Sequence, residues 1–257
     1  MKWTQVPEYE AMSRMAAQRM FDVISGKLAQ RQKVRVGLAT GNTMIRVYAI
    51  LAGMLNKAGH ELADLSTYNL DEYVDSQGGN VAPSHPLSYR KYMTEHFYDL
   101  VDTRLGFKRE NMFFPDSENP AAYDAQIAEA GGLDFQLLGI GFNGHIAFNE
   151  PLPANEISAE DFAALPSRVI ELTALTIKTN TELTADGDPH LVPRQAVTMG
   201  MGSILDAKEI MLLACFKEQA APLAIIKAGK ISPETPASFL LNHPSVQMIY
   251  TADTINL

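Results

Sequence analysis

The sequence has almost no cysteine: one residue, Cys215, among 257. A lone thiol excludes any intrachain disulfide. It lies in the apolar run "IMLLAC", where a buried, inert thiol is the ordinary reading. Long hydrophobic runs are missing too. No stretch approaches the roughly 20 apolar residues of a membrane-spanning helix. The opening "MKWTQVPEYEAM" has no apolar signal core, so a soluble, cytoplasmic protein is expected. Basic residues are in short supply, 21 Lys and Arg against 30 Asp and Glu, which gives a formal charge of −9. That balance argues against nucleic acid or an anionic membrane as partner. It still permits a small anionic substrate, because a few placed donors suffice for one. Repeats, low-complexity tracts and linkers are absent as well, so residues 1–257 read as a single domain.

What is present is an alternation of helical and extended patterns. "EAMSRMAAQRMFDVISGKL" sets Met12, Met15, Ala16, Met20, Val23 and Ile24 at helical spacing. "VRVGLA" is a β-branched run that ends at Thr40-Gly41-Asn42, and a helix follows it as far as Gly59. "LSTYNLDEY" reads as one strand. "LSYRKYMTEHFYDL" and "PAAYDAQIAEAGG" read as helices, and "DFQLLGIG" as a buried strand. Further on, "SRVIELT", "QAVTMGM", "EIMLLAC" and "SVQMIYTA" read as strands; "ALTIKTNTEL", "KEQAAPLAIIKAG" and "PASFLLNH" read as helices. Residues 152–166 have weak periodicity, and 152–183 is a candidate flap. The alternation predicts an α/β protein: an open, mostly parallel sheet covered by helices on both faces. In such folds ligands bind at the carboxyl ends of the strands. That rule selects the turn after "VRVGLA", the end of "STYNL" and the loop after "FQLLGIG".

The third of these, "LLGIGFNGHIAFNEP", contains G-x-G-x-x-G at Gly139, Gly141 and Gly144. A dinucleotide loop needs a long helix starting at its glycines. Pro151 comes too soon for one, so the nucleotide reading is weak. Acid–base chemistry fits better: imidazole moves protons near neutral pH, and His145 follows directly. Asn143 and Glu150 are candidates to orient it. A hydrogen-bonded structural histidine is the competing reading. In "ATGNTM", Gly41 permits a tight turn and Asn42 or Thr43 can cap the next helix. Such a turn offers N–H groups and a helix dipole to an anion, or is an ordinary strand–helix connection. "NLDEYVD" clusters Asp71, Glu72 and Asp75, with Asp71 and Glu72 on opposite faces if the strand persists. One could be a general base while the other makes structural bonds, or both could be capping or surface charges. No histidine stands at metal-ligand spacing near them, so no metal site is expected. His85 reads as a loop or capping histidine; His60, His96, His190 and His243 form no visible cluster.

Taken together, "GLATGNT", "NLDEYV", "HPLSY", "FQLLGIGFNGHIAFNEP", "AVTMGMGSILDAKEIMLL" and "PASFLLNHPSV" resemble the glucosamine-6-phosphate deaminase/isomerase family (glucosamine/galactosamine-6-phosphate isomerases), nearly end to end and in its order. The resemblance implies a Rossmann-like sheet without a nucleotide, a metal or another cofactor. It implies an amino sugar or sugar phosphate as substrate, opened and converted from aldose to ketose with release of ammonia. Carried over by position, Asp71 shuttles the C2 proton and His145 handles the protons of ring opening. Asn143 and Glu150 tune His145, and Ala147 offers backbone contact to the sugar. Thr40, Gly41, Asn42 and Thr43 form the phosphate-facing turn, with Glu72 nearby. A 6-phosphogluconolactonase-like hydrolase or simple isomerase on the same fold, and a non-catalytic sugar-binding protein, are the alternatives. Both a monomer and a homo-oligomer are compatible with these features.

Two departures stand out. The family usually has an arginine at the position of Glu182, and a carboxylate there is expected to repel a phosphate. It usually has a lysine where Gln219 stands, with Lys217 two residues earlier as an uncertain replacement. Exchanging both residues for the usual cations is therefore expected to improve use of a phosphorylated substrate. The catalytic half of the pattern is intact and the phosphate-binding half altered.

Overall fold

The computed structural model describes residues 1–257. Its center is a seven-stranded sheet in which every pairing is parallel. The strands are β1 (Lys2–Val6), β2 (Val34–Leu38), β3 (Leu65–Asn69), β5 (Met112–Phe113), β6 (Phe135–Gly139), β9 (Ile210–Ala214) and β10 (Val246–Thr251). Across the sheet they run β1-β10-β9-β6-β2-β3-β5. Burial on both faces explains why the inner strand Ile210–Ala214 is apolar throughout. The expected α/β architecture is therefore present.

The helices cover this sheet for reasons written in the sequence. In α1 (Tyr9–Ala29) the residues Met12, Ala16, Met20 and Ile24 recur at i, i+4 and are all buried. The next helix, α2 (Ile45–Ala58), ends where Gly59 takes a left-handed φ of 68°. In α4 (Pro120–Glu129), Asn119 caps the end and Pro120 opens the first turn. α8 begins only at Ala220 and ends at Lys227, behind a short 3-10 turn at Lys217–Gln219. Pro222 thus sits in its first turn, where no N–H is missed. The "PASFLLN" helix is 3-10 in form, Pro236–Asn242.

"LSTYNLDEY" is not one strand. It breaks at Leu70 into β3 and β4 (Asp71–Val74), which belong to different sheets. The N–H of Leu70 donates to the Leu38 carbonyl in the large sheet, while its own carbonyl accepts from Met199 beside the small one. β4 pairs antiparallel with β8 (Gln195–Thr198), and β8 with β7 (Arg168–Glu171). β7 alternates half-buried and exposed residues, as befits an edge strand with one wet face. This antiparallel sheet was not foreseen, and neither were β1 and β5.

The remaining helices are α3 (Tyr89–His96), α5 (Ala159–Ala163), α6 (Ala174–Leu183) and α7 (Met201–Leu205). α3 stops before Phe97, short of the expected length, and Tyr98–Leu100 continue as 3-10. The weakly periodic stretch 152–166 contains α5, pinned by buried Phe162 stacked on Phe239 at 5.2 Å. No helix is long and apolar enough to cross a membrane.

Candidate active site

Strand order reverses between β2 and β6: β3 lies on one side of β2, and β6, β9 and β10 on the other. The loops leaving β2 and β6 therefore diverge, and a crevice opens between them at the carboxyl edge. A cavity of about 390 Å³ occupies that crevice, with Thr40–Thr43 on one side and Ile140–Asn143 on the other. α3 and α6 form its outer walls.

Asp71 enters this cavity from the first residue of β4. Antiparallel register sets Thr198 directly opposite it. The Thr198 hydroxyl donates to Asp71 Oδ1 at 2.5 Å, and the Phe148 N–H donates to the same oxygen at 3.1 Å. Oδ2 accepts from no protein group. Burial pushes the Asp71 carboxyl up to about 7, against the opposing pull of those two hydrogen bonds and of His145. A carboxylate balanced near neutrality, with one oxygen free, is equipped to take and return a proton. Glu72 does the opposite job. It is fully buried and accepts from the Ser88 hydroxyl and the Tyr73, Tyr89 and Arg90 N–H groups. Its oxygens cap α3 and do not line the cavity, which removes it from the substrate contacts expected of it.

The loop after β6 delivers His145. Gly141 is required there: a Cβ on it would lie 2.3–2.5 Å from the imidazole atoms. Its N–H donates to the His145 carbonyl at 2.9 Å, which closes the turn. Asn143 Oδ1 accepts from the His145 N–H at 3.2 Å, and its Nδ2 donates to Glu150 Oε2 at 2.7 Å. That same Oε2 lies 3.4 Å from His145 Nδ1, within ion-pair range although no aligned hydrogen bond joins them. The Thr176 hydroxyl of α6 donates to Glu150 Oε1 at 2.5 Å. Burial alone would raise the Glu150 carboxyl, but His145, Thr176 and Asn143 outweigh it and hold it at about 2. Glu150 is thus a fixed negative charge behind the imidazole. Ala147 adopts a left-handed φ of 53°, rare outside glycine. The conformation aims the next N–H, that of Phe148, at Asp71 and Thr198.

Three expected substrate contacts are placed differently. Glu182 is exposed on the outer face of α6, 3.9 Å from Lys178, whereas Leu175, Thr179 and Leu183 face the cavity. Lys217 is exposed and lies outside the cavity wall. Gln219 does reach the cavity floor, but as a brace. Its Oε1 accepts from the Cys215 and Phe216 N–H groups and its Nε2 donates to the Ile140 carbonyl. A lysine could not accept those two bonds, so the exchange of Glu182 and Gln219 for cations is no longer expected to help. Thr198 and Thr176 were missed. Thr198 stands inside a quoted motif, yet only strand register shows that it faces Asp71. Thr176 carried no signal at all.

Residues 7–149 match a protein family described as glucosamine-6-phosphate isomerases/6-phosphogluconolactonase. The chain belongs to that family. Glucosamine-6-phosphate deaminase of Rhodopirellula baltica is 39% identical over 251 residues, covering 95% of this chain and 90% of the relative. That of Thermoanaerobacter pseudethanolicus is 33% identical over 255 residues, covering 97% and 92%. Among solved structures, a monomeric glucosamine-6-phosphate deaminase superposes with a TM-score of 0.86 at 30% identity, covering 99% of this chain and 98% of that one. The 6-phosphogluconolactonase of Trypanosoma brucei shares the fold at a TM-score of 0.72 and 20% identity, covering 98% and 97%. Within the family, the deaminases are thus nearer in sequence and in shape than these lactonases.

Proposed function

We propose that the chain acts as one domain that converts a 2-amino-2-deoxy aldose to a ketose with release of ammonia. Asp71 carries this reading. It is a buried carboxylate balanced near neutrality, held through one oxygen by Thr198 and Phe148, and it shares a cavity with His145, which Glu150 backs at 3.4 Å. His145 opens the ring by moving the anomeric hydroxyl proton to the ring oxygen, with Glu150 stabilising the imidazolium that forms. Asp71 then takes the C2 proton and returns it to C1. The C2 carbon becomes an imine, water adds to it, and ammonia leaves as the C2 carbonyl forms. Asn143 and Thr176 are positioning residues that act through Glu150. Thr40–Thr43 and the Ala147 backbone hold the sugar, and α6 within the 152–183 segment serves as the cover. Every side chain invoked is supplied by this chain.

The purified protein should release ammonia and ketose in equal amounts from an amino sugar. Ketose without ammonia would make it a simple isomerase, and turnover of a lactone alone would make it a hydrolase. Binding without any turnover would leave a sugar-binding protein. In deuterated water, Asp71→Asn should abolish exchange at C2 while sugar binding persists; exchange that survives would remove Asp71 as the base. A lactonase needs no group that shuttles a carbon-bound proton, and the environment of Asp71 is built for one.

A further inference from the structure

The cavity that holds Asp71 and His145 is lined by no lysine and no arginine. Its ionisable side chains other than tyrosine are Asp71, Glu95, His96 and His145. Of the nearby cations, Lys217 is exposed and stays outside the lining, and three others have partners elsewhere. Arg46 forms two hydrogen bonds to Glu10, at 2.6 and 3.0 Å. Lys178 pairs with Glu182 on the outer face of α6, and Arg90 lies over the Phe114 ring at 4.5 Å. The mouth of the cavity is apolar instead. Ile45, Leu175 and Leu183 line it while remaining 37%, 45% and 42% exposed, and Phe142 packs edge-on against Phe216 at 6.0 Å.

A phosphate monoester brings a charge of about −1.5 to −2 near neutrality. Apart from the imidazoles of His96 and His145, the positive potential facing it would come from the α2 N-terminus, about half a unit charge, with the free N–H groups of Gly41, Asn42 and Thr43. Against that stand Asp71, Glu95 (which has Lys91 at 4.0 Å as a partner) and the −9 charge of the chain. Strong phosphate sites add guanidinium or ammonium groups, and charged hydrogen bonds are about twice as strong as neutral ones. The same N–H groups suit a hydroxyl oxygen, and the apolar rim suits C–H surface.

We propose that the substrate is a 2-amino-2-deoxyhexose with an uncharged C6 end, either a hydroxymethyl or a methyl group. The inference rests on the deaminase reading above, and it separates this chain from relatives named for a 6-phosphate. The test compares kcat/KM for ammonia release by the wild-type protein from glucosamine, its 6-deoxy form and glucosamine-6-phosphate, with the galacto epimers alongside. An unphosphorylated amino sugar should exceed its phosphate ester by about tenfold or more. Preference for a phosphate ester would overturn the proposal and leave the deaminase reading standing. Ammonia from none of them would instead overturn the deaminase reading itself. Inorganic phosphate should not compete with the unphosphorylated amino sugar; competitive inhibition by it would count against the proposal. A gain-of-function variant gives a further measurement. Leu183 is half-exposed, and its carbonyl accepts from Asn42 Nδ2 at 3.3 Å, so it adjoins the Thr40–Thr43 turn. Leu183→Arg should raise kcat/KM for glucosamine-6-phosphate by about tenfold relative to glucosamine. No change in that ratio would mean that phosphate is already held by other groups.

Discussion

Asp71 and Glu150 are two carboxylates whose environments drive them apart, to about 7 and about 2. Activity that needs Asp71 ionised should fall as pH drops through about 7. Thr198→Val removes a hydrogen bond that favours the ionised form, so the acid limb of the kcat/KM profile should move up by about one pH unit. Stability carries the opposite sign. Between about pH 4 and 7 folded Asp71 holds a proton that the unfolded chain has lost, so its contribution weakens as pH rises. Asp71→Asn keeps an acceptor for Thr198 and Phe148 and has no such dependence. The melting temperature of this variant, minus that of the wild type, should grow across that window and level off above it; a flat difference would contradict the buried-charge account. Gly141→Ala should lower kcat strongly without unfolding the protein, because its Cβ needs the space of the imidazole.

Between the strands, Gln219 ties the end of β6 to the end of β9. Gln219→Leu leaves the Cys215 and Phe216 N–H groups without their acceptor, at a cost of about 2–4 kcal/mol, which urea unfolding can read. Gln219→Lys should lose stability in the same way and gain nothing toward phosphate. On α6, Thr176 joins the helix to Glu150, and Asn180 donates to the Tyr73 hydroxyl at 2.7 Å. Thr176→Val should therefore raise KM about threefold to tenfold by loosening the cavity wall, and shift the pH profile through Glu150 and His145. A change in thermal stability alone would reduce Thr176 to a packing role.

Over the whole molecule, a charge of −9 surrounds a cavity lined by no lysine or arginine. Added salt screens that field, with a Debye length of about 10 Å at 0.1 M. kcat/KM for a phosphorylated sugar should therefore rise with ionic strength relative to that for the unphosphorylated amino sugar, whose ammonium group the same field attracts. A salt-induced fall for the phosphate ester would reveal an attractive site that the fold does not show. The topology sets the stage for this chemistry, because the reversal of strand order beside β2 opens the crevice into which all the reacting groups project.

By itself the sequence determined the alternation of apolar strands and amphipathic helices, since burial periodicity is a local property that each segment carries alone. It also placed His145, Asn143, Glu150 and Asp71 in quotable motifs, because short loops keep such residues together along the chain. Only the tertiary structure decided where the chain leaves one sheet for another at Leu70, because both halves of that segment read as extended and no glycine or proline separates them. It alone set Thr198 against Asp71 and Thr176 against Glu150, contacts that span 127 and 26 residues and follow from sheet register and helix placement. Likewise it turned Glu182 outward and made Gln219 a brace. A position in a motif fixes which residue is present, whereas the direction of its side chain depends on what packs around it.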